Sequence, residues 1–560
     1  MRKRELGVLA LVVVATAFGV AAVARADDGP LPRALTAERF NPGSAPSAPT
    51  GTGPLSLGGL LTSSGYICGP TTGVGSDATN VNTDCDGLVS PHNETSIAVN
   101  PTDTSNIIGG ANDYQLIVTN GGTIKETVDS RAHVSFDGGN TWSEYAVPFR
   151  EYNATGDPAL AFDADGRAYY STLGFRFSQG SAPTSISADV LVSHSTDNGK
   201  TWSVPSRVGQ GRGTFTSVSQ ASLDKEYVTA WGHGNAIVTW SNFTSGPGGS
   251  YISSPIYDSV THDGGQTWST PQEISGSAPF CIGDALGGDA NGCDQNQFSV
   301  PVFSGGAIYV AFEDTANTTT FSDQYLVVQV DPATGSRTTG PFKVADLVDG
   351  LDAYPFDLVG RQTYQDSQFR TNSGGNITAD PSNPSHLAVV WSDMRNSTVP
   401  ADPDPYTAKT NSDVVVSESF DAGRTWSVPV ALTLSGDQFM PWGAYDSSGT
   451  LRIGYFDRSV DAANHFYGYS LATQTGSAPL TFGRQLLTTV SSQPTRDDRW
   501  FSGATVNSAF PHPTQFLGDY SNIASDYAGG VVAYWTDMRN TVTFGGRTGF
   551  GEDVFFAHAG

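Results

Sequence analysis

Acidic residues stand at the start of several apolar, strand-like runs in this 560-residue chain. Carboxyl groups brought together from such positions can act as general acids, general bases or nucleophiles, depending on their pKa values. The candidates of this kind are Glu94, Asp157, Glu226, Asp437 and Asp519, and Tyr520 directly follows the last of them.

Arginine residues follow a second set of strand-like runs, each within two residues of an aspartate. The segments are Asp393-Met394-Arg395, Asp457-Arg458 and Asp537-Met538-Arg539. A guanidinium group binds a carboxylate through two parallel hydrogen bonds, so three arginines on one face could hold an anionic ligand. In the structural alternative, each aspartate caps a turn and each arginine pairs with its neighbouring aspartate.

A repeated unit must position these residues, because one eight-residue pattern occurs four times. The four segments, called box repeats below, are residues 135–142, 195–202, 261–268 and 419–426. Ser or Thr, Asp and Gly at this spacing are typical of a tight turn between two strands, and the final Trp offers apolar surface to a neighbour. The residues predicted to be structural are Asp137, Trp142, Asp197, Trp202, Asp263, Trp268, Asp421 and Trp426.

The box repeats resemble the Asp boxes, S-x-D-x-G-x-x-W, of sialidases and related bacterial neuraminidase repeat (BNR) propellers. The resemblance implies an all-β fold, a β-propeller of four-stranded antiparallel blades with Asp boxes in the turns between strands three and four. It also implies a secreted, exo-sialidase-like glycoside hydrolase. The alternative is a non-catalytic propeller that binds glycan or protein.

Retaining sialidases use three arginines to hold the substrate carboxylate, a tyrosine activated by a glutamate as nucleophile, and an aspartate as acid/base. Carried onto this chain, the resemblance implies Arg395, Arg458, Arg539, Tyr520, Glu226 and Asp157 as catalytic residues. Glu94, Asp437 and Asp519 are the expected ligand-binding residues at the same mouth.

Counting the first strand-like run of each unit gives seven blades, and six, the number in sialidases, is the alternative. The units start near residues 94, 157, 219, 296, 376, 437 and 519. The fourth and sixth lack a box, and turns are predicted in its place at residues 331–335 and 472–476. The seventh has only three strands, so its fourth is predicted to come from the N-terminal side.

Strand order predicts which loops share a face of such a ring. Loops that enter first strands and loops that leave second strands lie together, opposite the box repeats. The candidate acids and arginines are therefore predicted to converge around one central mouth.

Three regions are predicted along the chain. Residues 1–26 read as a signal peptide, with Arg2-Lys3-Arg4, an apolar stretch and Ala24-Arg25-Ala26. An uncleaved membrane anchor is the alternative, because the apolar stretch approaches spanning length. Residues 27–90 form a Pro/Gly/Ser-rich extension with one disulfide, and residues 91–560 form the propeller.

Composition narrows the class of partner. The formal charge of −26 argues against nucleic acid and anionic membranes, and only 15% of residues are charged. The four cysteines fall into two close pairs, which predicts disulfides Cys68–Cys85 and Cys281–Cys293 in an exported, extracellular protein. The expected partner is a glycan or other extracellular ligand, with no membrane contact after signal cleavage, and the protein is expected to be a monomer.

No cofactor or metal is expected from motifs. The sequence holds no G-x-S-x-G, H-E-x-x-H or P-loop pattern, and its nine histidines are scattered. A structural calcium ion is one hypothesis for the loop at residues 284–294, which carries Asp289, Asn291 and Asp294 beside Cys293.

Overall fold

The computed structural model describes residues 65–85, 91–118, 124–149, 152, 154–177, 186–211, 220–245, 251–283, 289–317, 321–357, 361–398, 401–492, 516–544 and 547–560. The predicted signal peptide, its anchor alternative and most of the extension lie outside these residues. Among the residues described, no helix is long and apolar enough to cross a membrane.

Strands account for most of the described chain. Two precede the first blade, β1 (Gly65–Thr71) and β2 (Val81–Asn82). Blade 1 contains β3 (His92–Val99), β4 (Ile107–Val118), β5 (Ile124–Ser135) and β6 (Trp142–Ala146). Blade 2 contains β7 (Ala154–Phe162), β8 (Ala168–Phe177), β9 (Ile186–Ser195) and β10 (Ser206–Gly209). Blade 3 contains β11 (Gln220–Trp231), β12 (Asn235–Ser245), β13 (Tyr251–Ser253), β14 (Ile256–Thr261) and β15 (Gln272–Glu273).

The remaining blades follow the same plan. Blade 4 contains β16 (Asn296–Ser304), β17 (Ala307–Thr315), β18 (Asp323–Val330) and β19 (Arg337–Asp346). Blade 5 contains β20 (Asn376–Ala379), β21 (Leu387–Asp393), β22 (Asp413–Ser419) and β23 (Val430–Ala431). Blade 6 contains β24 (Gln438–Tyr445), β25 (Leu451–Asp457), a 3-10 turn (Arg458–Val460), β26 (Gly468–Ser477) and β27 (Leu480–Leu486). Blade 7 contains β28 (Asn522–Ser525), β29 (Val531–Phe544) and β30 (Arg547–Ala559).

These strands form seven antiparallel sheets, which confirms the predicted seven-bladed propeller and excludes six blades. The first strands, from β3 to β28, contact one another in succession, and β28 contacts β3 to close the ring. The N-terminal strand β2 pairs with β30 as the fourth strand of blade 7, as predicted, and β1 extends blade 1 beyond β6.

The turn predicted at residues 472–476 is wrong: β26 continues to Ser477 and the chain turns at Ala478-Pro479. Thr473 and Gln474 can stay in the ladder and pair with β27, whereas Pro479 has no N–H to donate and therefore suits the turn.

The four box repeats occupy the turns between the third and fourth strands of blades 1, 2, 3 and 5, with one set of hydrogen bonds. In the first, the Ser135 hydroxyl donates to Asp137 Oδ1 (2.9 Å) and accepts from Gly139 N (2.8 Å), and Asp137 Oδ1 accepts from Thr141 N (2.9 Å). The other three repeats make the equivalent bonds. Each repeat therefore satisfies its own turn.

The hydrophobic core lies between the faces of adjacent blades. Trp142 of blade 1 is fully buried, stacks on Tyr534 and meets Phe556 edge to face, both from blade 7. In the next interface, Trp202 packs edge to face against Tyr170 within a cluster that also contains Ile108 of blade 1. Both predicted disulfides, Cys68–Cys85 and Cys281–Cys293, are present.

A recurrent bulge distorts the first strands near the central axis. In five blades the pairing between first and second strands skips two residues, and the first of these has a positive φ although it is not glycine. The residues are Glu94 (54°), Asp157 (57°), Lys225 (54°), Phe298 (54°) and Met440 (47°). Such a conformation costs about 1 kcal/mol or more per residue. Repeating it in five blades re-aims a set of side chains that regular strands would place differently.

Candidate functional site

The ammonium group of Lys225 is the centre of a buried cluster formed by these bulges. Its Nζ lies 2.5 Å from Asp519 Oδ2 and 2.9 Å from Asp157 Oδ2. Glu94 Oε1 lies at 3.5 Å and Asp224 Oδ1 at 3.9 Å. One cation thus gathers carboxylates from blades 1, 2, 3 and 7.

Arg370 supplies a second cation from the segment that precedes β20 of blade 5. Its guanidinium group makes two hydrogen bonds to Asp519, one from Nε at 2.5 Å to Oδ1 and a shorter one from Nη2 to Oδ2. The same group lies over the ring of Phe516, 4.9 Å from its centroid. The axial cluster is defined here as Glu94, Asp157, Asp224, Lys225, Glu226, Arg370 and Asp519.

Glu226 differs from the other acids of the axial cluster. Its side chain is buried, and within the described residues neither carboxyl oxygen has a hydrogen-bond partner. Burial, reinforced by the charge of Asp157, raises the pKa of Glu226 well above its ordinary value. Its environment therefore favours the protonated carboxyl group, the form that can donate a proton.

Asp519 shows the opposite shift. Burial alone would raise the pKa of Asp519, but Arg370 and Lys225 outweigh that effect and hold the pKa below its ordinary range. Conversely, burial would lower the pKa of Lys225, and the surrounding carboxylates, Asp157 first, raise it well above its usual value. Asp519 and Lys225 both stay charged across the physiological range.

Two further acids of the axial cluster resist ionisation. Burial and then the charge of Asp157 raise the pKa of Glu94 well above its ordinary value. Burial, opposed by Lys225, raises the pKa of Asp224 to about 7. The cluster therefore combines groups held in their charged forms with carboxyl groups whose pKa values are raised.

A polar neighbour holds two of the acids in place. Asn112 of β4 donates to Glu94 Oε2 (2.6 Å) and accepts from the backbone N–H of Asp157 (2.8 Å). Tyr520 follows Asp519 in the chain. Burial, and then the charges of Glu94, Asp157, Glu226 and Asp519, raise the pKa of its phenol well above the usual value. The phenol therefore keeps its proton at neutral pH.

Five residues named from the sequence thus come together: Asp157, Glu226, Tyr520, Glu94 and Asp519. They do so because the loops entering first strands share one face of the ring. Sequence reasoning overlooked Arg370, although it lies in the segment entering the first strand of blade 5 and the same topological argument applies to it.

The predicted arginines make local contacts instead. Arg395 binds both oxygens of Asp393 and lies over the ring of Trp391. Arg539 binds both oxygens of Asp537, with Nε at 3.0 Å and Nη2 at 2.7 Å. The remaining donors of Arg539 reach Asn80 and Thr489, and its guanidinium lies 4.1 Å from the centroid of the Phe555 ring.

Arg458 and Asp437 form a third local site. The Arg458 side chain is fully buried, and it donates to the backbone oxygen of Gln365 (3.0 Å) and to Ser367 Oγ (2.6 Å). Its Nη1 lies 3.5 Å from Asp437 Oδ2. In the described part of the chain, no hydrogen bond or ion pair joins Arg395, Arg458 and Arg539 to one another or to the axial cluster. Their contacts favour structural roles.

The loop considered for calcium is described only in part, because residues 284–288 lie outside the described residues. Asp289 Oδ1 accepts from Asn291 N (3.0 Å), and Asp294 Oδ1 accepts from Gln295 Nε2 (3.0 Å). These bonds are typical of a self-capped turn. Calcium binding at this loop stays a hypothesis.

Comparison with known proteins gives structural neighbours alone. No family model and no curated protein sequence matches the chain. A protein of unknown function from Dyadobacter fermentans DSM 18053 aligns at TM-score 0.42 and 10% identity, over 86% of this chain and 99% of that one. The NanB sialidase from Streptococcus pneumoniae aligns at TM-score 0.40 and 10% identity, over 81% and 83%. The GH93 alpha-L-arabinofuranosidase of Fusarium graminearum aligns at TM-score 0.38 and 11% identity, over 88% and 97%. At such scores and identities, the case for a function rests on the residues of this chain.

Proposed function

We propose that the protein is a secreted glycoside hydrolase whose active site is the axial cluster. The observation that carries this proposal is the pair Glu226 and Asp519, two buried carboxyl groups whose pKa values are shifted in opposite directions around one lysine. Glycosidic bond cleavage needs such a pair, a neutral acid to protonate the leaving oxygen and a charged carboxylate facing the positive transition state.

In this proposal Glu226 is the general acid. Its raised pKa favours the protonated form, and its carboxyl oxygens have no competing hydrogen-bond partner among the described residues. This role replaces the one implied by the resemblance to sialidases, in which Glu226 would deprotonate Tyr520. A carboxyl group that is already protonated cannot accept the phenol proton, and the raised pKa of Tyr520 opposes its ionisation further.

Asp519 is the proposed charged partner. Arg370 and Lys225 fix its orientation, so that its negative charge is pre-organised for an oxocarbenium-like transition state and need not be reoriented during the reaction. Asp157, held by Asn112 and Lys225, is the second carboxylate within reach of the same ammonium group.

The charge balance favours a neutral sugar over sialic acid. The axial cluster has five carboxyl groups and two cations, and Arg370 already uses two donors on Asp519. An anionic sugar would need a free arginine fork, whereas Arg395, Arg458 and Arg539 are engaged elsewhere. Neutral glycans, bound through hydroxyl groups, are therefore the proposed substrate class.

Export fits this activity. The basic and apolar N-terminus predicts a signal peptide, and both disulfides are of the kind that persists in oxidising compartments. Glycans are abundant extracellular ligands, and the acidic chain suits neither nucleic acid nor anionic membranes.

A non-catalytic propeller is the second candidate, favoured by one observation. Every side chain of the axial cluster is buried, which also suits a salt-bridged hub that holds seven blades around the axis. Under this alternative the cluster contributes to folding, and any glycan or protein binds without turnover.

The deciding experiment is Glu226→Gln in the mature protein, assayed on a panel of aryl glycosides that includes neutral sugars and sialosides. The amide has nearly the shape of the protonated acid, so the Tm should change by no more than about 2 °C. Turnover should fall by roughly 10²- to 10⁴-fold, because general acid catalysis is lost.

Asp258→Asn is the matched control. Asp258 is another buried acid with a raised pKa, near 8 because of burial, but it lies on β14 away from the axis. Its variant should keep full turnover. No turnover by wild-type protein on any substrate would overturn the proposal, as would equal turnover by wild-type and Glu226→Gln.

A further inference from the structure

Three distant segments bring potential metal ligands together where the ring closes. Asp84 follows β2, His92 begins β3 of blade 1, and Asp553 lies on β30 of blade 7. One ligand atom from each, two carboxylate oxygens and an imidazole nitrogen, lie within 4.8 Å of one another. All three side chains are buried.

His92 gives an independent indication of a missing partner. It is 1% exposed, and within the described residues neither ring nitrogen makes a hydrogen bond. Its Nε2 lies 3.5 Å from Asp113 Oδ1, an ion-pair distance too long for a strong hydrogen bond. Buried polar atoms are rarely left without a hydrogen bond or another ligand, because water solvates them in the unfolded chain and burial without a partner loses that solvation.

We propose that Asp84, His92 and Asp553 bind a divalent transition-metal ion, with Zn²⁺ as the best fit. One imidazole and two carboxylates suit zinc, whereas calcium and magnesium prefer oxygen ligands alone. Zinc ligands at about 2.1 Å from the ion lie roughly 3.4 Å apart in a tetrahedron, so a small contraction of the group completes the geometry.

Neighbouring side chains can support the ligands. Asn540 donates through Nδ2 to Asp553 Oδ2 at 2.6 Å, which leaves Asp553 Oδ1 to face the ion. Asp84 is fixed through its backbone N–H, which donates to Asn82 Oδ1 at 3.0 Å. Such outer contacts orient metal ligands and are a regular part of metal sites in proteins.

Among the described residues, an arginine close to the site is paired with two acids. Arg131 is engaged by Asp113 through Nε (2.7 Å) and by Glu144 through Nη1 (2.9 Å). The ring of His133 meets that of His92 edge to face at 5.8 Å, and its Nδ1 lies 2.9 Å from Thr83 Oγ1.

A metal at this place would strengthen the closure of the ring. Blade 7 is completed by the two-residue strand β2, which pairs with Phe555 and Phe556 of β30, and one further bond runs from Thr83 N to the backbone oxygen of Val554 (3.0 Å). The metal would add a bond from the N-terminal segment to blades 1 and 7 at once. The site is structural in this proposal, so it does not depend on glycosidase activity.

The test begins with metal analysis of the protein after treatment with EDTA and dialysis against Zn²⁺, Mn²⁺ or Ca²⁺. We expect one bound zinc per chain, a rise in Tm of roughly 3–8 °C over the EDTA-treated protein, and no comparable shift with Ca²⁺. Less than a fifth of an equivalent of zinc, or an unchanged Tm, would overturn the proposal.

Two variants locate the ion. Asp553→Asn keeps the shape of the ligand, and His92→Ala removes the imidazole; both should lower zinc affinity by at least 10-fold. The matched control is His386→Ala, since His386 also lies between two carboxylates but both its nitrogens are hydrogen-bonded, to Asp380 and Glu418 at 3.1 Å. Zinc binding that survives in Asp553→Asn, or that disappears in His386→Ala, would place the ion elsewhere and refute the assignment.

Discussion

Replacing Lys225 by Met tests whether one ammonium group holds the axis of the propeller together. Methionine keeps most of the apolar stem, so the change chiefly removes a positive charge from within 4 Å of four carboxyl groups. Removing one partner of a buried ion pair costs about 3–5 kcal/mol, because the other charge stays buried and unpaired. Asp519 keeps Arg370, whereas Asp157 and Glu94 lose their contact with the ammonium.

The pH dependence of this loss follows from the direction of the pKa shifts. Lys225 opposes the raised pKa values of Glu94, Asp224 and Glu226, so without it burial and mutual repulsion raise the folded-state pKa values of these three groups further above their unfolded values. A group with a raised folded pKa stabilises the fold below its unfolded pKa, and that contribution is lost as the pH rises through the folded pKa. The variant should therefore lose about 3–5 kcal/mol of unfolding free energy at pH 8 and roughly 1–2 kcal/mol at pH 5.

Urea unfolding at both pH values, with wild type alongside, measures this difference directly. Lys343→Met is the control, because Lys343 pairs with Asp346 at the surface and such pairs contribute less than about 1 kcal/mol at either pH. An equal loss for Lys225→Met at pH 5 and pH 8, or a loss below about 1 kcal/mol at pH 8, would refute the electrostatic reasoning.

Two further predictions concern the blades themselves. Trp142→Ala should lower the unfolding free energy by about 3–5 kcal/mol, since the fully buried indole fills the interface between blades 1 and 7. Trp426→Ala should lower it less, because Trp426 is only partly buried. Equal losses for the two variants in urea unfolding would contradict this prediction. Asp258→Asn should stabilise the protein increasingly as the pH rises from about 5 to 7, by about 1.4 kcal/mol per pH unit, because burial raises the pKa of Asp258 to about 8 and the wild type must take up a proton on folding. A pH-independent difference between the two proteins would show that Asp258 is ionised in the folded state.

Local sequence patterns were sufficient to predict the blades. A box repeat is a turn that satisfies itself, so its residue types identify the turn wherever it occurs, as the shared bonds of Ser135, Asp137 and Gly139 illustrate. The closing strand could be inferred as well, because a fourth strand was missing from blade 7 and only the N-terminal side remained to supply it.

The site was predictable only in part, because its geometry depends on non-local contacts. Alternation of apolar residues cannot reveal that Glu94, Asp157 and Lys225 adopt positive φ values, since these residue types rarely do so without tertiary support. The bulges turn these side chains toward the axis. Spacing also gave no reason to prefer Arg370 over Arg539, and only the fold shows that one guanidinium meets Asp519 while the other pairs with Asp537.

The closure of the ring and the axial cluster depend on the same strand. His92 and Glu94 lie two residues apart on β3, so one strand carries a proposed metal ligand and a carboxyl group of the axial cluster. The chain before β28 approaches β3 so closely that a Cβ at Gly518, where φ is 88°, would lie 2.6 Å from the backbone nitrogen of Glu94. Asp519 follows directly and reaches Lys225.

Hydrogen bonds hold β3 against blade 7 along this seam, from Asn93 to Glu552 (3.0 Å) and from Thr95 to the backbone oxygen of Tyr534 (2.8 Å). Because the ends of the ring meet where Glu94 and Asp519 must be placed, the distance between these two acids is set by how tightly the ring closes. If all four strands of blade 7 were consecutive in the chain, closing the ring would not depend on a distant segment. In this chain the fourth strand of blade 7 comes from about 470 residues away along the sequence, so blade 7 is complete only when the N-terminal segment is docked.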